Sequence, residues 1–303
     1  MPRRHVPKAQ LAMRETRYAL YLRRTRYDDA TSNLHFAQAL KCDPSNVGVR
    51  LMYADYLRTS DRPNKIPEVE AQYLKCIALE PANGKVRTEY AELWMYGYFT
   101  GVKDAGFDPD PVLVEKFQGL YQDAFEIDAQ NPWLFANYAL FCYWIKRERF
   151  GEPTETMASA EKSILMDPGD ARLHANYAAV MDMAWWENQD CFPLIEAEYQ
   201  KALELDPADV SIYIYLANFC IHSKKDLAAA DALLRQAVDM EPTNPNIHVY
   251  YADFLWKHVK DLAAAETAYL RALDLLPDGE GDPRRAEVLA QLEDLRTGHE
   301  PSD

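Results

Sequence analysis

The sequence predicts an all-α fold, a solenoid of about seven antiparallel helix pairs closed by one further helix at its C-terminal end. The first observation behind this prediction is a nine-residue interval that recurs six times, at spacings of roughly 35 to 50 residues. The copies of this interval are Pro44–Tyr53, Pro81–Tyr90, Ala129–Tyr138, Pro168–Tyr177, Pro207–Leu216 and Pro242–Tyr251. Self-similarity at such a period is typical of a stacked repeat array.

The second observation is that each unit holds two apolar stretches with the spacing of a helix face. In the last unit, the first stretch is marked by Ile247, Tyr250, Tyr251, Phe254 and Leu255, and the second by Ala264, Ala265, Ala268, Tyr269, Ala272 and Leu273. Tyr18-Ala19 opens the series, so the units are centred on Ala19, Ala54, Ala91, Ala139, Ala178, Ala217 and Ala252. Two helices for each unit give the predicted antiparallel pairs.

The third observation is that small residues recur where helices must approach closely. Besides the central alanines, a small residue lies five places before each turn: Ala39, Cys76, Ala124, Ser163, Ala202, Ala237 and Ala272. A large side chain at such a place would force neighbouring helices apart and strain the core. These positions therefore predict the contact lines between helices.

The turns between units carry helix stop and start signals. An acidic residue and a proline end the second helix at five turns, and an Asn or Asp two residues later can cap the next helix. The predicted caps are Asn46, Asn83, Asp170, Asp209 and Asn244. The third turn departs from this pattern because its proline is displaced, but Asn131 before Pro132 still forms a suitable cap.

The repeats resemble the tetratricopeptide repeat (TPR). The segment Ala197–Pro207 is similar to the second helix of that repeat, and the Tyr-Ala pairs fall where the family has a large residue before a small one. Aromatic first helices, such as 250–256, also resemble the half-a-TPR repeats of RNA-processing proteins. The resemblance implies a right-handed superhelical solenoid.

The domain organisation predicted from these patterns is one continuous repeat domain. We expect a basic N-terminal segment over 1–11, the seven repeats over 12–278, and a polar capping helix and tail over 279–303. The closing helix is predicted near Pro283–Arg296, where it would cover the open end of the last repeat with Val288, Leu289, Leu292 and Leu295.

Charge is distributed unevenly along the chain. The net charge is −15, yet the first 26 residues hold eight basic side chains and one acidic one. An acidic body is a poor match for nucleic acid. The basic start could be a solvated end face, a docking segment for an acidic partner, or an organelle presequence.

The cysteines and the absence of targeting patterns suggest a reducing compartment. Five cysteines without paired spacing favour buried small residues over disulfides or metal ligands. No apolar run has the length of a membrane span, and no secretory signal core precedes Tyr18. We therefore expect a cytoplasmic protein, with organelle import through the basic N-terminus as an alternative.

The sequence lacks the motifs that are typical of catalytic, phosphate-binding or metal sites. It has no glycine-rich phosphate loop, no His-Glu-x-x-His and no Cys-x-x-Cys. The histidines are not clustered at ligand spacing, and His174 and His248 occupy matching places in their units, which suggests repeat packing. We expect no enzymatic activity, no cofactor, no metal site and no small-molecule substrate.

The resemblance implies a partner-binding surface on the first helices, which line the concave groove in TPR proteins. The residues placed there are Met95, Tyr96, Trp133, Tyr143, Trp144 and Met183, with Trp185 and Trp186 at the helix end. Aromatic and methionine side chains suit an apolar helix or peptide, although core packing is the alternative for each of them. Lengthened connections inside units three to five, the longest spanning 96–111, flank the same stretch and suit recognition, or are tolerated insertions.

Heat-shock chaperone tails are a poor match as partners. Family members that bind them grip a terminal carboxylate with basic and asparagine side chains. The matching places here hold Thr16, Leu51, Thr88, Ala136, Ala175, Ile214 and Val249. The favoured function is a protein-interaction scaffold; the alternatives are an RNA-processing or nucleic-acid-associated protein and, more weakly, a helical accessory subunit of an organelle enzyme.

Overall fold

A computed structural model describes residues 7–26, 29–59, 66–91, 111–144, 154–185, 188–276 and 283–298. Helices dominate throughout these ranges, and no strand occurs within them, so the predicted all-α fold is confirmed. The chain divides into two compact units, Met1–Ala129 and Gln130–Asp303. The division falls inside the third turn, where the proline is displaced, whereas the sequence predicts one continuous repeat domain.

The described residues of the first compact unit form three helix pairs. Its helices are α1 (Lys8–Arg26), α2 (Asp29–Cys42), α3 (Val47–Thr59), α4 (Ile66–Leu79), α5 (84–91) and α6 (Pro111–Ile127). The start of α5 lies close to the end of α6, since a Cβ added to Gly84 would lie 2.3 Å from the Asp128 Cβ. Glycine is the residue that allows this approach.

In the second compact unit, the residues that the structure describes form four helix pairs and a closing helix. Its helices are α7 (Pro132–Trp144), α8 (Thr154–Met166), α9 (Ala171–Trp185), α10 (Phe192–Leu205), α11 (Val210–Phe219), α12 (Leu227–Met240), α13 (Pro245–Phe254), α14 (Leu262–Leu275) and α15 (Pro283–Thr297). A short π-helical segment follows α11 and another follows α13, and each ends at a lysine in the left-handed conformation, Lys225 and Lys260.

The closing helix covers the last repeat with three of its four predicted residues. Val288, Leu292 and Leu295 are buried in the cluster formed by α13 and α14. Leu289 is 48% exposed, so its predicted place in the core is wrong. The buried three follow the i, i+4, i+7 stripe of one helix face, and Leu289 lies a step of about 100° away from that stripe.

The small residues at the contact lines have no exposed surface at all. The seven central alanines and the seven small residues before the turns each have a relative exposure of 0%. The predicted close approach of the helices at these places is therefore confirmed.

The predicted helix caps also form. The side chains of Asn46, Asn83, Asp170, Asp209 and Asn244 each accept a hydrogen bond from a backbone N–H two or three residues further on. Asn131 does the same for the Trp133 amide, at 3.1 Å. These bonds satisfy amides that the helix itself leaves without a partner.

A further contact closes five of the turns and was not predicted. In each case the side chain six residues after the turn proline donates a hydrogen bond to the carbonyl oxygen of that proline. The pairs are Arg50 with Pro44, Arg87 with Pro81, His174 with Pro168, Tyr213 with Pro207 and His248 with Pro242, at 2.6 to 3.2 Å. We call this contact the proline clasp. It confirms the structural role predicted for His174 and His248.

Candidate functional site

The predicted partner surface lies on α7 and α9, the first helices of units four and five. Trp133 follows the Asn131 cap at the start of α7 and is partly buried. Its indole N–H donates to Asp170 Oδ2 at 3.2 Å, and Asp170 is the cap of α9. Trp133 thus joins the starts of two consecutive first helices.

At the other end of the same helices, three predicted residues meet. The hydroxyl of Tyr143, which is buried, donates to the Met183 carbonyl at 2.8 Å and so connects α7 with α9. The Trp144 ring meets the Tyr143 ring edge-on, with centroids 5.0 Å apart. Met183 packs against the cluster of Ala139, Ala160 and Val180, and both Trp144 and Met183 remain partly exposed. We call Tyr143, Trp144 and Met183 the aromatic cluster.

The remaining predicted residues are distributed differently. Trp185 ends α9 and packs, partly buried, against the core between α9, α10 and α11. Met95, Tyr96 and Trp186 lie outside the described residues, as do 92–110 and 145–153, which hold the longest part of the lengthened connections. The structure therefore brings three of the eight predicted residues into one cluster.

The cysteine thiols belong to the interior. All five cysteines are free; Cys76, Cys142 and Cys220 are buried, and Cys42 and Cys191 are partly buried. Burial raises the pKa of the Cys76 thiol to about 11 and also raises that of Cys220. Thiols with a raised pKa hold little of the reactive thiolate near neutral pH.

Two histidines approach each other although the sequence shows no cluster. His222 and His258 lie on the π-helical segments of units six and seven, with ring centroids 5.6 Å apart. Burial, together with the charges of His222 and of lysines that include Lys257 and Lys260, lowers the pKa of His258. Within the described ranges, no group of three or more His, Cys, Asp or Glu side chains is placed to hold a metal ion.

A pocket between units six and seven was missed by the sequence analysis. It has a volume of about 340 Å³ and lies between the starts of α11 and α13. Its lining residues are Asp209, Val210, Ser211, Ile214, Glu241, Asn244, Asn246, Ile247 and Tyr250. The signal available in the sequence was Ser211, which holds the place of Trp133 and Arg172 in the preceding units.

The fold of these helix pairs is similar to that of solved tetratricopeptide-repeat proteins. Yeast Tom70 matches with a TM-score of 0.67 and 13% identity, over 96% of this chain and 55% of Tom70. The human IFIT1 dimer with m7Gppp-AAAA matches with a TM-score of 0.60 and 17% identity, over 88% of this chain and 58% of IFIT1. A tetratricopeptide repeat protein from Parabacteroides merdae matches with a TM-score of 0.54 and 12% identity, over 94% and 99% of the two chains.

These likenesses concern the fold. The chain spans little more than half the length of the Tom70 and IFIT1 chains. No protein-family model and no curated protein matches the sequence. No described helix is both long and apolar enough to cross a membrane.

Proposed function

We propose that this protein is a non-catalytic protein-interaction scaffold that binds an apolar helix or peptide of a partner protein at the aromatic cluster. The observation that carries the proposal is the hydrogen bond from Tyr143 to the Met183 carbonyl, with Trp144 edge-on against Tyr143. Tyr143 thereby contacts both Trp144 on its own helix and Met183 on the neighbouring helix, and both of these residues are partly exposed.

A surface held in this way suits binding for an energetic reason. Trp144 needs little further ordering when a partner binds, because its ring already rests against a buried, hydrogen-bonded tyrosine. Preorganisation reduces the entropy cost of association. Tryptophan is also enriched among the residues that dominate interface energies, and methionine adapts to irregular apolar partners.

The test begins with a displayed peptide library selected on the wild-type protein. The Kd of the best peptides is then measured by fluorescence anisotropy for the wild type and for Trp144→Ala. Truncation of an interface tryptophan typically costs about 2 kcal/mol, so we expect binding to weaken about 30-fold. The control is Leu165→Ala, because Leu165 is 72% exposed and lies on α8, which holds none of the residues of the aromatic cluster.

The control should bind as the wild type does, and both variants should keep the far-ultraviolet circular dichroism of a folded helical protein. Selected peptides that bind Trp144→Ala and the wild type with the same Kd would refute the proposal.

A second candidate function is RNA binding, favoured by one comparison and one charge feature. The matched IFIT1 structure contains m7Gppp-AAAA, and the first 26 residues here are strongly basic. The net charge of −15 opposes it. A labelled oligoadenylate would distinguish the two functions, because binding through arginines to phosphates weakens steeply with salt whereas binding at an apolar cluster does not.

A further inference from the structure

The starts of the first helices are connected by a ladder of side chains. In unit four, Trp133 lies two residues after its cap and donates to Asp170, the cap of the next unit. In unit five, Arg172 lies two residues after its cap, and its Nε donates to Asp209 Oδ2, again the next cap, at 2.5 Å. Both contacts span 37 residues. The ladder position is thus the second residue after each cap.

In unit six the ladder position is occupied by Ser211, which is too short to reach the next cap. Its hydroxyl instead donates to its own cap, Asp209, at 2.6 Å. The space that a longer side chain would fill is the pocket of about 340 Å³ between α11 and α13. The pocket therefore lies where units four and five have a long side chain and unit six has only a serine.

Arg172, at the ladder position of unit five, indicates which chemical group suits the equivalent pocket in unit six. Its guanidinium bonds to Asp209 and lies in the field of Asp170 and Asp206, and these contacts raise its pKa. One unit further along the chain, the equivalents of Asp209, Asp170 and Asp206 are Asn244, Asp209 and Glu241. All three line the pocket, so it keeps a polar acceptor and two carboxylates in the arrangement that surrounds a guanidinium in unit five.

One carboxylate in the pocket lining, that of Glu241, has no basic partner among the described residues. Asn244 Oδ1 accepts one bond, from the Asn246 backbone N–H, and keeps a second lone pair for a guanidinium, while Nδ2 donates to Glu241 Oε2 at 2.7 Å. Glu241 is held at the rim by this bond, yet no basic side chain of the described residues pairs with it. Asp209, by contrast, already carries Arg172.

We propose that the pocket between α11 and α13 binds an arginine side chain of a partner protein. The guanidinium lies against Glu241 and Asn244, and the aliphatic stem packs over Ile214, Ile247 and Tyr250. Arginine suits this site better than lysine because its planar fork is less strongly hydrated and binds carboxylate and amide oxygens together. The site lies in units six and seven, apart from the aromatic cluster, and does not depend on it.

The test uses N-acetyl-arginine amide as the probe on the full-length, isotope-labelled protein. Backbone amide resonances of Ser211, Asn246 and Ile247 are followed by transverse-relaxation-optimised NMR as the probe is added. We expect saturable shifts at these amides. N-acetyl-citrulline amide, which has the same shape without the charge, and the matching lysine amide should each bind at least about tenfold more weakly.

Two variants replace residues of the pocket lining. Ser211→Arg supplies the missing ladder side chain, so it should fill the pocket and remove the probe-induced shifts at Asn246. Glu241→Gln keeps an acceptor for Asn244 but removes the rim charge, so it should weaken probe binding at least about fivefold.

Arg172→Ser provides the converse variant. It empties the ladder position of unit five and should create a second probe site, with new shifts at the amides of residue 172 and Asp209. Trp144→Ala should leave probe binding at the pocket unchanged, so failure of the proposed scaffold function and failure of the arginine pocket are distinguishable.

Several results would overturn the assignment: no saturable shift, equal binding of citrulline and arginine amides, or shifts that persist in Ser211→Arg. Equal binding of the lysine amide would also overturn it, since the pocket would then recognise an ammonium group rather than a guanidinium.

Discussion

Replacing Ala178 by leucine tests the packing on which the repeat fold depends. Ala178 lies on α9 with no exposed surface and belongs to the same cluster as Ala202, which is equally buried. The isopropyl group of the new side chain has no space at this contact line. Overpacking of this kind typically costs about 1 to 3 kcal/mol, whereas helix propensity changes little between alanine and leucine.

The matched control is Ala197→Leu, the same substitution on an exposed face of α10 in the same repeat. Thermal and urea unfolding are followed by circular dichroism. A loss of 1 to 3 kcal/mol lowers the Tm by about 2 to 12 °C for a unit of this size. Ala197→Leu should stay within about 0.5 kcal/mol of the wild type. Equal midpoints for the two variants would show that the contact lines are misplaced.

Two further predictions concern the closing helix and a buried carboxyl group. Leu292→Asp places a charge at a buried position of α15 and should lower the free energy of unfolding, measured with urea, by about 3 kcal/mol or more. Leu289 is 48% exposed, so Leu289→Asp should change that free energy little. Similar losses in both variants would contradict the helix orientation. Burial raises the pKa of Asp182 above 3.8, although the hydrogen bond from Ser223 opposes the shift. The folded protein therefore holds this proton more tightly than the unfolded chain, and stability is lost as pH rises from 3.8 through the raised pKa. Asp182→Asn should consequently show a higher Tm than the wild type at pH 7 and an equal one near pH 3, and a gap that is independent of pH would refute this reasoning.

The elements predicted correctly from sequence depend on local spacing. A cap, a proline stop and a small contact residue each act within a few positions of their neighbours, so Asn244 and Ala178 could be placed without knowing the fold in detail. Leu289 was misplaced because a stripe of leucines wider than one helix face does not show which member faces outward.

The contacts that sequence reasoning missed are those between units. Trp133 is predicted to face a partner, and its indole N–H also donates to Asp170 across 37 residues, a contact that the sequence analysis did not predict. The same separation joins Arg172 to Asp209. Aligning the units on their caps would have shown that Trp133 and Arg172 each lie 37 residues before the next cap. It would also have shown that unit six has the short side chain of Ser211 at the matching place. The resemblance to a repeat family placed Tyr143, Trp144 and Met183 on the first helices, and their role in partner binding stays a prediction.

The proline clasp has a consequence for how repeat units can be added to or removed from this chain. Each of the five clasps closes a turn with the helix that directly follows it, as His248 does for Pro242, rather than with a distant element. A segment cut from one turn proline to the next therefore carries both the turn and the side chain that fixes its shape. Duplicating or excising a segment at these prolines would leave each of the remaining clasped turns with the side chain that closes it. The prolines are thus the natural splice points for lengthening, shortening or recombining this protein, and the ladder position can then be chosen separately in each added unit.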